Sequence, residues 1–151
     1  MDWSHYHFRS VWELAAPPAR VYAVLERPAD YPLWWPQIRK VTPDPADERA
    51  GTAVFRSLLP YDLHVTAAHR LADPAHRVLE VTLGGDLEGW ARWTLTALGA
   101  DRTRAVYEQE VVVRNPLMRR LAVPGRPLFR LNHALMMRSG RRGLAAYLEA
   151  V

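Results

Sequence analysis

Two short polar pairs carry most of the chemistry this sequence has to offer. Tyr107 and Gln109 stand two apart in an alternating run, so they share one face of a strand. Asn132 and His133 lie within residues 126–148, where Phe129, His133, Met136, Met137, Gly140, Leu144 and Tyr147 fall on one side of a helix. Arg130, Arg138, Arg141 and Arg142 fall on the other side. Phenol, amide and imidazole groups can orient a carbonyl or hydroxyl, and His133 or Tyr107 could also move a proton. Two flexible thioethers and a glycine fill a tight core poorly but suit a helix that closes a pocket. The plainer alternative stays open. Aromatic and Met residues at this spacing are usually core, and His133 could simply satisfy a neighbouring carbonyl.

Other constellations are weaker. His5 and His7 share a strand face with Arg9, as a solvated face does, and no metal site is expected. Glu108 and Glu110 share an outer face and read as sheet-surface charges, not a glycosidase pair. Ser57 and Ser139 lack a base-plus-acid arrangement, and Gly84-Gly85-Asp86 reads as a turn, not a phosphate loop. The absence of cysteine removes thiolate chemistry and disulfides.

The elements that position these residues follow from changes in the apolar period. Residues 5–14 alternate as a strand, with Tyr6, Phe8, Ser10, Trp12 and Leu14 on one side. Pro17-Pro18 open a short helix that Pro28 stops. Asp30 is placed to cap a second turn over Tyr31–Trp35, ended by Pro36. Strands are predicted at 38–43, 52–59, 61–71, 77–84, 89–98 and 104–114. Turn chemistry separates them at Pro43 to Gly51, Leu59-Pro60, Asp73-Pro74, Gly84 to Asp86 and Gly99 to Asp101. Asn115-Pro116 ends the sheet, and the long helical segment is broken at Pro124-Gly125 and restarts at Pro127. Short links imply antiparallel neighbours. The fold class is α+β, with residues 1–151 as one domain.

Composition narrows the function classes. With 49% hydrophobic and 24% charged residues the chain is a soluble globule, not a disordered one. No basic-then-apolar leader and no apolar run near membrane-spanning length is visible, so a cytoplasmic protein without stable membrane insertion is expected. The net charge of +4 comes almost wholly from arginine, Lys40 being the only lysine, and the arginines are mostly dispersed. Arg119-Arg120 and Arg138 to Arg142 form small clusters, without zinc-finger or RNA-binding signatures, so no nucleic-acid partner is expected.

Taken in order, Ala16 to Leu25, Tyr31-Pro-Leu-Trp-Trp-Pro36, Gly85-Asp-Leu-Glu-Gly89 with Trp93, and Arg126 to His133 with Met137 and Gly140 resemble a known family. The chain resembles the START-like superfamily, in its polyketide cyclase/dehydrase and lipid-transport-like branch, related in fold to the birch-pollen allergen. The resemblance implies a helix-grip fold: a curved antiparallel sheet of about seven strands wrapped around a long C-terminal helix, with an internal cavity. It implies a hydrophobic small-molecule ligand (lipid-, polyketide- or quinone-like), no cofactor, and a monomer or homodimer. Residues expected to meet the ligand are Trp35, Phe55, Leu63, Val81, Trp93, Tyr107, Gln109, Phe129, Asn132, His133, Met136 and Met137. Facing is unassigned over 52–71, where apolar residues occur on both parities. Of Trp34 and Trp35, one ring is expected inside and the other near the entrance. The alternative is a polyketide cyclase or aromatase using His133 as acid/base beside Tyr107. Aromatase relatives tend to line the pocket with an arginine, and here only Arg56 could supply one.

Overall fold

The computed structural model describes residues 5–56, 62–114, 116, 120 and 122–150. Ser57, the Leu59-Pro60 turn, Asn115 and Arg119 lie outside them. Strand β1 (His5–Leu14) leads into α1 (Pro18–Leu25) and a 3-10 turn (Pro28–Leu33). Six strands follow: β2 (Ile38–Asp44), β3 (Asp47–Phe55), β4 (Leu63–Asp73), β5 (Val78–Gly85), β6 (Leu87–Gly99) and β7 (Arg102–Val113). The chain then enters α2 (Ala122–Ala150). The strands form one antiparallel sheet in the order β1-β7-β6-β5-β4-β3-β2. Register shifts at Ile38/Lys40, Pro43/Asp44, His69/Leu71 and Ala97/Gly99 place bulges that bend it. The α+β helix-grip architecture read from the sequence is the one observed.

Three local expectations need correction. Pro43 to Gly51 is not an extended turn. The carboxylate of Asp44 accepts from the Ala46 N–H at 2.8 Å, which closes a two-residue Pro45-Ala46 turn and lets β3 begin at Asp47. The second helical turn starts at Pro28, three residues before Tyr31, so Asp30 lies within its first turn and is not the cap. Helix α2 also runs unbroken from Ala122 through Pro124-Gly125.

The core has two parts, and α2 rests on both. Near the start of α2, Phe129 packs on Tyr6, with ring centroids 4.4 Å apart, among Leu63, Val65, Leu87, Val111 and Val113. Toward its end, Met137, Leu144 and Leu148 join a larger cluster built on Trp12, Trp34, Trp35 and Trp93. Trp12 contacts the other three indoles at 4.8 to 6.5 Å, tying β1, β6 and the 3-10 turn together. The Trp35 indole N–H donates to the Met136 carbonyl at 2.9 Å. The Arg20 guanidinium of α1 donates to the Leu148 carbonyl, a cation at the negative end of the helix dipole.

Two glycines make this docking possible. A Cβ on Gly140 would stand 2.5 Å from the Trp35 ring, and one on Gly143 would stand 1.7 Å from the Trp34 carbonyl oxygen. Helix propensity favours Ala over Gly by about 1 kcal/mol. The clash at Gly143 is with backbone and outweighs that gain. Gly143→Ala is therefore expected to destabilise the fold by about 1–3 kcal/mol, read as a lowered urea midpoint. A raised midpoint would contradict the packing described.

Candidate functional site

Between its two supports α2 stands off the sheet, and a cavity of about 480 Å³ fills the gap. Strand parity decides what faces it. Phe55, Ala53, Gly51 and Arg49 of β3, Leu63, Val65, Ala67 and His69 of β4, and Leu79, Val81 and Leu83 of β5 border it at alternate positions, with Ala50, Thr52 and Glu80 beside them. Ala91 and Trp93 of β6 and Tyr107 and Gln109 of β7 continue the wall. Phe129, Asn132, His133 and Met136 cover it from α2, and Leu25 to Ala29 with Tyr31 and Trp35 close one end. Over the described part of 52–71, unassigned by pattern, odd-numbered residues from Ala53 to His69 thus border the cavity, and the bulge after His69 leaves Leu71 exposed.

One polar cluster sits in this apolar wall. The Gln109 side-chain oxygen accepts from the Tyr107 hydroxyl at 2.8 Å and lies 3.1 Å from His133 Nε2. An oxygen accepting from both fixes the Nε2–H tautomer, leaving Nδ1 as an acceptor and the Gln109 amide nitrogen as a donor. His133 is clamped by Phe8, whose ring stacks at 3.7 Å with an interplanar angle of 9°. Burial pushes the His133 imidazole down to about 4 and drives the Tyr107 phenol above its ordinary range. At neutral pH the cluster is uncharged. Nearby, the Tyr31 hydroxyl donates to the Leu25 carbonyl at 2.5 Å, so it also holds a fixed orientation.

Eleven of the residues singled out from the sequence border this one cavity: Trp35, Phe55, Leu63, Val81, Trp93, Tyr107, Gln109, Phe129, Asn132, His133 and Met136. Met137 does not. It points into the tryptophan core and is 3% exposed, because one further helical step of 100° turns it past the cavity. Trp34 is likewise in the core, and Trp34 and Trp35 are each 4% exposed, so neither ring sits at an open entrance. Arg56 is exposed and off the cavity. The arginines that border it are Arg49, on the inner parity of β3, and Arg27 beside the 3-10 turn. Both were missed: residues 43–51 read as a turn, which gave Arg49 no facing, and Arg27 read only as the residue before the helix-ending Pro28. On the opposite side of the sheet His5 pairs with Glu110 at 2.9 Å, and Glu80 is held by Arg70 and Arg92. Among the described residues no group of His, Asp or Glu is arranged to hold a metal ion.

A curved sheet gripping a helix across an apolar cavity defines a ligand-cavity domain of the helix-grip class. The chain belongs to the polyketide cyclase / dehydrase and lipid transport family, whose model matches residues 14–136. Among solved structures it is similar to the Zhui aromatase/cyclase from Streptomyces sp. R1128, at 18% identity and TM-score 0.79, over 96% of this chain and 94% of that one. A START superfamily protein from Mycobacterium smegmatis matches at 18% identity and TM-score 0.74, over 95% and 97% of the two chains. A norcoclaurine synthase from Thalictrum flavum, solved with a transition-state analogue, matches at 16% identity and TM-score 0.65, over 96% of each. At these identities the likeness is one of fold. No functionally curated protein matches the sequence.

The depressed His133 gives a pH prediction. In the unfolded chain the imidazole takes up a proton near its ordinary 6.5, whereas the folded chain resists until about 4. Between those values the unfolded state binds more protons, so stability is full above 6.5 and falls as pH drops toward 4. The expected loss is on the order of 3 kcal/mol. Urea titrations of wild type and His133→Gln at pH 7 and 4.5 should show a smaller loss in the variant; equal losses would remove His133 as the cause.

Proposed function

We propose that this chain, acting as a single domain over residues 1–151, binds and carries an uncharged hydrophobic small molecule bearing a carbonyl or hydroxyl group. The observation that carries this reading is the neutral Tyr107–Gln109–His133 cluster set in the wall of a mostly apolar cavity of about 480 Å³, whose bordering arginines, Arg27 and Arg49, are exposed. Pockets of several hundred Å³ take drug-sized ligands, and a few fixed polar groups orient them. A bare imidazole nitrogen can accept from a hydroxyl, and an amide N–H can donate to a ketone or quinone oxygen. A buried charge would find no countercharge among these three groups. Lipid-, polyketide- and quinone-like molecules all meet the description.

Acid–base catalysis of a polyketide cyclisation or dehydration in the same cavity is the lesser reading. An imidazole held near 4 is a weak base at neutral pH, and a phenol pushed above its ordinary range is a poor acid. The His133–Gln109 bond also engages the ring with an amide that cannot take up a proton to complete a relay.

Native mass spectrometry of freshly purified protein tests the carrier reading directly, with a retained apolar small molecule as the expected result. A second arm uses the dye N-phenyl-1-naphthylamine. Ala53→Trp, which fills the cavity from β3, is expected to weaken dye binding about tenfold or more without loss of fold. Gln109→Leu is expected to weaken a quinone probe about tenfold more than its hydrocarbon counterpart. Absence of any bound molecule together with dye binding unaffected by Ala53→Trp would overturn the proposal.

A further inference from the structure

Outside the cavity, the unused feature is the solvent face of α2. Leu128, Leu131, Leu135, Arg138 and Arg142 follow one another at steps of three, four, three and four, which lines them along a single edge of the helix. The three leucines are 42%, 51% and 40% exposed. They span about 10 Å, and Arg142 lies about 10 Å beyond Leu135. Arg130 and Arg141 flank the stripe and are exposed. None of Arg130, Arg138, Arg141 and Arg142 forms an ion pair with another described residue. Residues 126–148 hold five of the chain's 20 basic residues and none of its 16 acidic ones, so the remainder carries 15 basic against 16 acidic. All of the excess positive charge therefore sits on this helix.

We propose that this leucine–arginine stripe docks the protein peripherally on an anionic lipid surface. Exposed leucines gain from entering the acyl boundary, and arginines beside them reach lipid phosphates along their apolar stems. The combination discriminates among occupants. Nucleic acid would engage the arginines and leave the leucines no apolar partner. A second copy fits less well: a parallel pairing sets arginine on arginine, and an antiparallel one that matches the leucines offers the arginines no carboxylate, since residues 126–148 hold none. The cavity-facing side of α2 is not used, so docking and ligand binding can be separated by mutation. No helix among the described residues is long and apolar enough to cross a membrane, so the attachment is to the surface.

The test is co-sedimentation of the full chain with vesicles of phosphatidylcholine alone and of phosphatidylcholine with phosphatidylglycerol. Binding to the anionic vesicles only, weakening as salt rises, is expected. Arg138→Gln/Arg142→Gln should lower that affinity about tenfold or more. Leu131→Ser/Leu135→Ser should lower it about tenfold, with melting temperature and cavity dye binding retained in both variants. Failure of wild type to bind the anionic vesicles overturns the docking, whatever the cavity holds. So does a leucine variant that binds as tightly as wild type, since a purely electrostatic surface then fits an anionic polymer better. Dye binding lost with vesicle binding kept would instead strike at the carrier reading.

Discussion

The contact of α2 with Trp34-Trp35 governs this structure. Gly140 and Gly143 let the helix approach the 3-10 turn to van der Waals distance, and the Trp35 indole fastens to the helix backbone at Met136. Because that end is held beside the 3-10 turn and the other by Phe129 on Tyr6 at the β1–β7 side of the sheet, the helix need not lie on β3 to β5 to be stable. Its middle meets β1 and β7 through His133 and stands off β3 to β5 across the cavity. Space between helix and sheet is thus a consequence of where the helix is fastened, not of a packing defect.

What occupies the middle of the helix follows the same logic. A residue there faces neither water nor a tight core, so a polar side chain is tolerated only if it is satisfied. His133 meets the condition through Gln109, which in turn receives Tyr107, and the Phe8 ring fixes the imidazole plane. The arrangement stays neutral because every member is buried among aromatic and aliphatic groups. Neutrality links the local geometry to ligand class. It favours recognition of a polar uncharged group over proton transfer.

Much of this was legible in the sequence, for identifiable reasons. The alternation of β1, β6 and β7 is clean because one face is packed and the other solvated, so Tyr107 and Gln109 could be set inward without a structure. The helical face bearing His133 was equally clear. Sequence failed where local chemistry misled. Pro43, Asp44, Pro45 and Asp47 look like an extended loop, yet Asp44 closes the turn within two residues, and that hid Arg49 on the inner face of β3. Met137 differs from Met136 by a single helical step, and only the position of the tryptophan cluster decides which of them meets the cavity. The docking role of the two glycines was not legible, since it depends on a turn 100 residues distant along the chain.

Fastening the helix at both ends also shapes how such a protein can change over generations. A beam resting on two supports can be recut at mid-span while its supports stay put. Asn132, His133 and Met136 occupy that span, facing exchangeable side chains on β3, β4 and β5. Of these, Asn132 and His133 lie outside the tryptophan cluster, so substitutions at the two alter the shape and polarity of the hollow and leave that cluster in place. Ligand preference and foldability are consequently inherited through sets of positions that overlap at Trp35, Trp93 and Phe129 but part at mid-span, which lets one scaffold vary its cargo there while its supports are kept.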